Sequence, residues 1–154
     1  MVIHLATDHA GFSHKEAVSE WLKDEGYDIV DHGAVELSVK DDFPDYIALA
    51  AAEVSSYPAT AKAVIFGGSG QGEAIVANRH KNVRAAVFYG GDESIPALSR
   101  QHNDSNILSI GARFVDIDTT KKVIWEWLQA EPLSDPKYQR RNRKIENITK
   151  ELQS

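Results

Sequence analysis

Five short apolar runs, separated by longer amphipathic stretches, constrain the fold of this chain more than any other feature. The runs are Val2–Ala6, Tyr27–Val30, Ala63–Phe66, Arg84–Phe88 and Asn106–Ile110. Most are rich in Val and Ile, which is typical of strands buried on both faces of a sheet. The stretches between them repeat apolar residues at helical spacing. This alternation predicts an α/β fold in which helices cover both faces of a parallel sheet.

The length and the C-terminal charge pattern predict one domain that ends in a basic helix. A chain of 154 residues is typical of a single domain, here 1–154, and we expect 134–152 to form the last helix. Its segment 137–150 holds six Lys or Arg residues and one Glu. Lys137, Arg141 and Lys144 share a helix face. The pattern fits either a solvated face or an anion site, and both interpretations stay open.

Charge and cysteine content exclude several classes of function. The net charge is −6 and the sequence pI is about 5.5, which disfavours general nucleic-acid binding. The chain contains no cysteine, so disulfides, thiolate metal sites and cysteine catalysis are excluded. No apolar stretch approaches the length of a membrane span, and the first apolar run ends at Asp8, too early for a signal peptide. We therefore expect a cytoplasmic protein without a membrane partner.

Polar and glycine residues gather where a parallel sheet binds ligands. Ligands of open α/β sheets bind at the carboxyl ends of the strands. The segments that follow four of the predicted strands are Thr7–Gly11, Gly67–Glu73, Tyr89–Asp92 and Gly111–Arg113. We expect these segments to form the binding site.

The segment Gly67–Glu73 looks like a phosphate loop but departs from it at one position. Four of its first six residues are glycine, and a helix is expected to follow, so backbone N–H groups can face a ligand. Glu73 stands where a nucleotide-binding loop requires lysine, or where a dinucleotide motif requires a small residue. The segment favours a cradle for a developing oxyanion with Glu73 as a base. The alternative is an acidic residue that only interacts with the helix dipole.

The histidines show no metal-ligand spacing, so we expect neither a metal nor another cofactor. His9 and His102 each lie next to another polar candidate, Asp8 and Asn103 respectively. The pair His102–Asn103 is equally compatible with the C-terminal cap of a helix.

Four motifs together resemble the ribose-5-phosphate isomerase B family, which includes galactose-6-phosphate isomerase subunits and allose-6-phosphate isomerases. The motifs are Thr7–Gly11, Gly67–Glu73, Ser99–Asn106 and Gly111–Arg113. The resemblance extends from about residue 2 to about residue 150. It implies a three-layer, Rossmann-like α/β/α sandwich with a five-stranded parallel sheet. It also implies metal-free isomerisation of aldose phosphates, in homodimers that share their active sites and in some members pair into tetramers.

The resemblance also implies roles for individual residues. Many members carry a cysteine base at the position of Gly67, whereas a second branch has glycine there and a glutamate six residues later. This chain matches the second branch, so the implied base is Glu73. His102 is implied in opening the sugar ring, Asp8 in holding the sugar hydroxyls, and Ser69 in stabilising the cis-enediolate. The implied substrate-binding residues are His9, Tyr46, Gly68, Gly70, Gly72, Asn103, Arg113, Lys137 and Arg141.

One departure from the family pattern concerns the substrate. The family usually has Arg-His where this chain has Lys137-Tyr138. Lysine keeps the charge but lacks the bidentate fork of arginine. We expect interconversion of ribose 5-phosphate and ribulose 5-phosphate. The alternatives are isomerisation of a hexose 6-phosphate or tetrose 4-phosphate, or a non-catalytic subunit that binds a sugar phosphate.

Overall fold

The computed structural model describes residues 1–154 and contains a five-stranded sheet with six helices. The strands are β1 (Val2–Thr7), β2 (Asp28–Asp31), β3 (Ala61–Gly67), β4 (Ala85–Phe88) and β5 (Ile107–Gly111). The helices are α1 (Phe12–Asp24), α2 (Phe43–Ser56), α3 (Gln71–Ala77), α4 (Ile95–Asn103), α5 (Ile117–Gln129) and α6 (Pro136–Leu152). A short 3₁₀ turn, His9–Gly11, precedes α1. Each predicted strand is confirmed to within two residues at either end.

All strand pairs are parallel, in the order β2-β1-β3-β5-β4. The predicted α/β fold with a five-stranded parallel sheet is therefore confirmed. From β1 the chain runs outward to β2 and then crosses back to β3 on the other side. The crevice between the carboxyl ends of β1 and β3 is thus a switch point of the type at which open α/β sheets bind ligands.

The sheet is buried on both faces by two separate hydrophobic clusters. Side chains alternate between faces along a strand. In β3, Val64 and Phe66 accordingly belong to the cluster beneath α1 and α5, whereas Ala63 and Ile65 belong to the cluster beneath α2. Fully buried Trp127 on α5 is the largest side chain of the first cluster. Burial on both faces explains why the strands are continuous apolar runs instead of alternating patterns.

The last helix, α6, lies against the outside of this body. None of its residues is fully buried, and Ile145, Ile148 and Leu152 are exposed. It begins at Pro136, and the carboxylate of Asp135 accepts a hydrogen bond from the backbone N–H of Lys137. None of the helices combines the length and the apolar character that crossing a bilayer requires.

Candidate active site

The glycine-rich loop between β3 and α3 presents unpaired backbone donors. Gly70 has a φ of +77°, a left-handed conformation that favours glycine, and its carbonyl accepts a hydrogen bond of 2.7 Å from the Ser109 hydroxyl. The N–H groups of Gly68, Ser69 and Gly70 donate to no group of the chain. The loop can therefore offer three N–H donors to an anion or a carbonyl oxygen.

Glu73 lies in the first turn of α3 and is buried, with 4% of its surface exposed. Its carboxyl group lies against the Cα of Gly67, in space that a Cβ at position 67 would fill. Burial raises the pKa of Glu73. A hydrogen bond from the residue's own backbone N–H to the carboxylate partly offsets this rise in the pKa. The nearby Asp8 carboxylate adds to the rise. A glutamate with a raised pKa is a stronger base once ionised, which suits proton abstraction near neutral pH.

The end of β1 supplies Asp8 and His9. The carboxylate of Asp8 caps the 3₁₀ turn by accepting a hydrogen bond of 2.9 Å from the N–H of Ala10. The Nδ1 atom of His9 lies 2.7 Å from Oδ1 of Asp41, a residue of the loop between β2 and α2. The groups of Asp8, His9 and Asp41 that could bind a metal lie within 4.8 Å of one another, so this cluster is where a cation could be held. The spacing of histidines along the chain did not predict it, because Asp41 is distant in sequence.

Arg113 follows β5 and covers the glycine-rich loop. Its backbone N–H donates to the carbonyl of Gly68 at 3.1 Å, and the N–H of Ala112 donates to the carbonyl of Gly67 at 2.8 Å. The guanidinium lies next to Gly68, where an added Cβ would be 3.0 Å from an Arg113 Nη1 atom. The absence of a side chain at position 68 therefore allows this cation to lie directly over the loop.

These groups surround one open cavity of about 330 Å³ at the carboxyl ends of β1, β3 and β5. Its lining consists of Asp8, His9, Ala10, Phe43, Gly68, Ser69, Gly72, Glu73 and Arg113. The structure thus brings together seven of the residues predicted for the site. Phe43 is the aromatic residue of the lining, and an added Cβ at Gly72 would lie 2.7 Å from its ring.

The segment from β2 into α2 contributes residues that the sequence analysis did not name. Tyr46 is not among the lining residues and packs against Gly33 and the core beneath α2, whereas Phe43 of the same helix lines the cavity. Asp41 was not predicted, although an acidic pair, Asp41–Asp42, directly precedes α2. One signal could have found Asp41 and Phe43. It is the rule already applied to the other strands, that residues beyond a strand's carboxyl end face the ligand.

A second group of predicted residues lies elsewhere on the chain. The rings of His102 and Tyr138 stack with centroids 4.7 Å apart and an angle of 3° between their planes. Lys137 Nζ lies 4.9 Å from the Tyr138 ring and 3.2 Å from the Asp135 carboxylate. None of the predicted residues on α4 and α6 lines the cavity that contains Glu73; these residues are His102, Asn103, Lys137 and Arg141.

The topology places His102 at the opposite end of the sheet from Glu73. Helix α4 returns the chain from the carboxyl end of β4 to the amino end of β5, and His102 lies in its last turn. The carbonyl of Asn103 accepts a hydrogen bond of 3.0 Å from Arg84, which immediately precedes β4. The five residues of β5 span about 16 Å, a distance that separates the two ends. One chain alone therefore does not bring His102 to Glu73.

A family model described as ribose/galactose isomerase matches residues 3–148 of the chain. The chain belongs to this family. Among curated relatives, the probable ribose-5-phosphate isomerase B of Mycoplasma pneumoniae is 35% identical over 129 residues, covering 84% of this chain and 83% of that protein. The ribose-5-phosphate isomerase B of Escherichia coli is 32% identical, with 84% of each chain covered.

Solved structures of family members have the same fold. Ribose-5-phosphate isomerase B from Mycoplasma genitalium, crystallised with bound ribulose-5-phosphate, superposes with a TM-score of 0.93 at 33% identity and covers 97% of each chain. The Clostridium thermocellum enzyme superposes with a TM-score of 0.91 at 32% identity and covers 99% of each chain. The resemblance inferred from the four motifs is therefore confirmed.

Proposed function

We propose that this chain is an aldose–ketose isomerase that interconverts ribose 5-phosphate and ribulose 5-phosphate without a metal. The observation that carries the proposal is the buried carboxyl group of Glu73, which shares a cavity with the glycine-rich loop and Arg113. The relatives named above support the choice of substrate, since they are ribose-5-phosphate isomerases and one was crystallised with the ketose product.

The proposed chemistry moves one proton between adjacent carbons. The Glu73 carboxylate removes the C2 proton of the open-chain aldose, and the C2–H electrons form the C1–C2 double bond while the C1 carbonyl oxygen becomes an oxyanion. The resulting cis-enediolate accepts hydrogen bonds from the free N–H groups of the loop Gly68–Gly70 and from the Ser69 hydroxyl. The C2 hydroxyl then passes its proton to the C1 oxyanion, Glu73 returns the carbon-bound proton to C1, and C2 becomes the carbonyl of the ketose while C1 carries the hydroxyl group. The loss of one donor of this type typically costs about 10²–10³ in rate.

The remaining site residues bind the two ends of the substrate. Arg113 and His9 line the cavity and are the residues of this chain that bind the phosphate. Asp8, whose side chain is close to the Glu73 carboxyl group, holds sugar hydroxyls. Charge-assisted hydrogen bonds from Arg113 to a phosphate are worth about 1.5–3 kcal/mol, or roughly 10- to 100-fold in affinity.

A homodimer completes each site in this proposal, and two dimers can form a tetramer. His102 opens the sugar ring by proton transfer at the ring oxygen, and Asn103 binds a hydroxyl, both from a second copy of the chain. Lys137 and Arg141 of that copy bind the phosphate. The support is the topology, because α4 carries His102 to the far end of its own sheet, and because α6 exposes its apolar residues and its basic residues together. A cytoplasmic location remains a prediction from the sequence.

A coupled isomerase assay over aldose phosphates of four, five and six carbons tests the proposal. We expect ribose 5-phosphate to be the best substrate and Glu73→Gln to be nearly inactive, with Glu20→Gln, on the exposed side of α1, as a charge-matched control. Preference for a tetrose 4-phosphate or hexose 6-phosphate would show that the proposed substrate is wrong, while the proposed proton-transfer chemistry would stand. Binding of ribose 5-phosphate without any turnover by the wild-type chain would indicate the non-catalytic subunit instead.

A further inference from the structure

Asp41 holds His9 at two points. Its Oδ1 atom accepts a hydrogen bond of 3.2 Å from the backbone N–H of His9 and lies 2.7 Å from His9 Nδ1. The Asp41 side chain is 6% exposed, whereas the His9 side chain is 28% exposed and lines the cavity. Because one carboxylate oxygen contacts both the backbone and the ring of the same residue, rotation of the imidazole away from this position breaks a hydrogen bond.

The contact also decides which ring nitrogen is available to a ligand. An ionised carboxylate only accepts hydrogen bonds, so the Nδ1 atom that faces Asp41 carries a proton. Nε2 is then the only ring nitrogen free for a group in the cavity. A phosphate bound there is also an acceptor, so a ring between Asp41 and a phosphate carries a proton on each nitrogen. In that state the imidazole is a cation between two anions.

A second feature of Asp41 points away from a purely structural role. Its other oxygen, Oδ2, is buried and has no hydrogen-bond partner. A buried polar atom without a partner costs folding free energy, and a role at a functional site is one explanation for such a group. The unpaired Oδ2 indicates that the fold tolerates Asp41 at a cost in stability. The hydrogen bonds that the Asp41 side chain does make both go to His9.

We propose that Asp41 is a positioning residue, which keeps the Nδ1 atom of His9 protonated and leaves Nε2 to donate to the phosphate of the substrate. The inference rests on the proposed function only in taking the anion to be the phosphate of a sugar phosphate. Asp41 does not line the cavity and acts through His9.

Binding of inorganic phosphate, measured by titration calorimetry, tests the proposal without relying on turnover. Asp41→Asn removes the charge and gives the histidine a weaker acceptor, and we expect it to weaken phosphate binding about 10-fold. Asp42→Asn is the matched control, because Asp42 is the exposed neighbouring residue and its side chain makes no capping hydrogen bond to α2. We expect Asp42→Asn to bind phosphate like the wild type.

A double-mutant cycle separates positioning from structure. In the His9→Ala background, Asp41→Asn should cause no further loss of phosphate affinity, because the residue through which it acts is gone. Imidazole ¹⁵N NMR should show Nδ1 protonated in the wild type and a mixture of tautomers in Asp41→Asn. Asp41→Ser provides a second variant if Asp41→Asn does not fold.

Two results would overturn the inference. One is wild-type phosphate affinity in Asp41→Asn or Asp41→Ser, and the other is an equal loss in the presence and absence of His9. These outcomes are distinct from failure of the proposed function. If the chain isomerises no aldose phosphate but shows the His9-dependent loss of phosphate affinity, the positioning role of Asp41 stands and the proposed reaction is wrong. If the chain is an active isomerase without that loss, the proposed reaction stands and the positioning role is wrong.

Discussion

The carboxyl group of Glu73 occupies the space into which a side chain at position 67 would project. A Cβ built on Gly67 would overlap the carboxyl carbon and both oxygens of Glu73. The overlap explains physically why this chain pairs glycine at 67 with glutamate at 73.

Gly67→Ala tests this relationship. The backbone of Gly67 does not have a positive φ, so alanine is compatible with it, and the three atoms nearest to the added Cβ all belong to Glu73. We expect Gly67→Ala to lower kcat at least 10-fold, because the carboxyl group is displaced from the reacting carbon. We also expect a destabilisation of about 1–3 kcal/mol, as for other overpacked sites, measured by urea unfolding.

Glu73→Ala provides the control for that measurement. In the Glu73→Ala background the three atoms nearest to the added methyl group are removed, so Gly67→Ala should cost much less stability there than in the wild type. An equal cost in both backgrounds would show that the methyl group clashes with something other than Glu73.

Glu73→Gln should increase stability at neutral pH while it removes activity. The pKa of Glu73 is raised in the folded chain, so the fold favours the protonated carboxyl group. This stabilising contribution is complete below the unfolded pKa, about 4.3, and is lost as the pH rises through the raised folded value. Glutamine avoids that loss. Urea unfolding should therefore show Glu73→Gln to be more stable than the wild type at pH 7, with the difference shrinking toward pH 4. A less stable variant at pH 7 would contradict the expected sign.

The acid limb of the pH–rate profile should report the same group. Glu73 must be ionised to accept a proton, so kcat/KM is expected to fall with decreasing pH at a midpoint above the ordinary glutamate value of about 4.3. Asp8 contributes to the shift, so Asp8→Asn should lower the midpoint of its residual activity. An unchanged midpoint in Asp8→Asn would remove the Asp8 carboxylate as a cause of the shift.

The sequence predicted the fold well because hydrophobic periodicity is a local signal. A strand buried on both faces is a continuous apolar run, and β3 and β5 follow that rule with almost every residue buried. Strand order is set by packing between distant segments, so nothing in the runs indicated that β5 lies between β3 and β4.

The site was predictable where the functional residues follow a strand in a recognisable motif. Glu73 and Arg113 belong to such motifs, and the structure places both in the cavity. Asp41 lies in the loop before α2 and Phe43 is the first residue of that helix, neither belongs to a known motif, and their approach to His9 and Gly72 depends on how α2 packs. Tyr46, suggested by the family resemblance, lies about one helical turn from Phe43 and stays a prediction.

Complementation between two inactive variants tests whether the site is shared. Glu73→Gln and His102→Ala, unfolded and refolded together, should form mixed dimers in about half of the population by statistical pairing. In a shared-site dimer, each mixed pair has one site with both lesions and one with neither. Activity should therefore recover to roughly a quarter of the wild-type level.

The same variants refolded separately provide the baseline for complementation. A refolded mixture that stays as inactive as the separate variants would mean that every site contains one lesion. Glu73 and His102 would then act in the same chain, and the shared site would have to be abandoned.

Proton exchange at the reacting carbons tests the central claim most directly. Ribose 5-phosphate incubated in D₂O with the wild-type chain should yield ribulose 5-phosphate with deuterium at C1, and the recovered aldose should carry deuterium at C2, as followed by proton NMR. Glu73→Gln should lose this exchange by about 10²–10⁴-fold, the usual contribution of a general base, while it still binds inorganic phosphate. Exchange at the wild-type rate in Glu73→Gln, or conversion without any proton removal from C2, would contradict Glu73 as the base of this site.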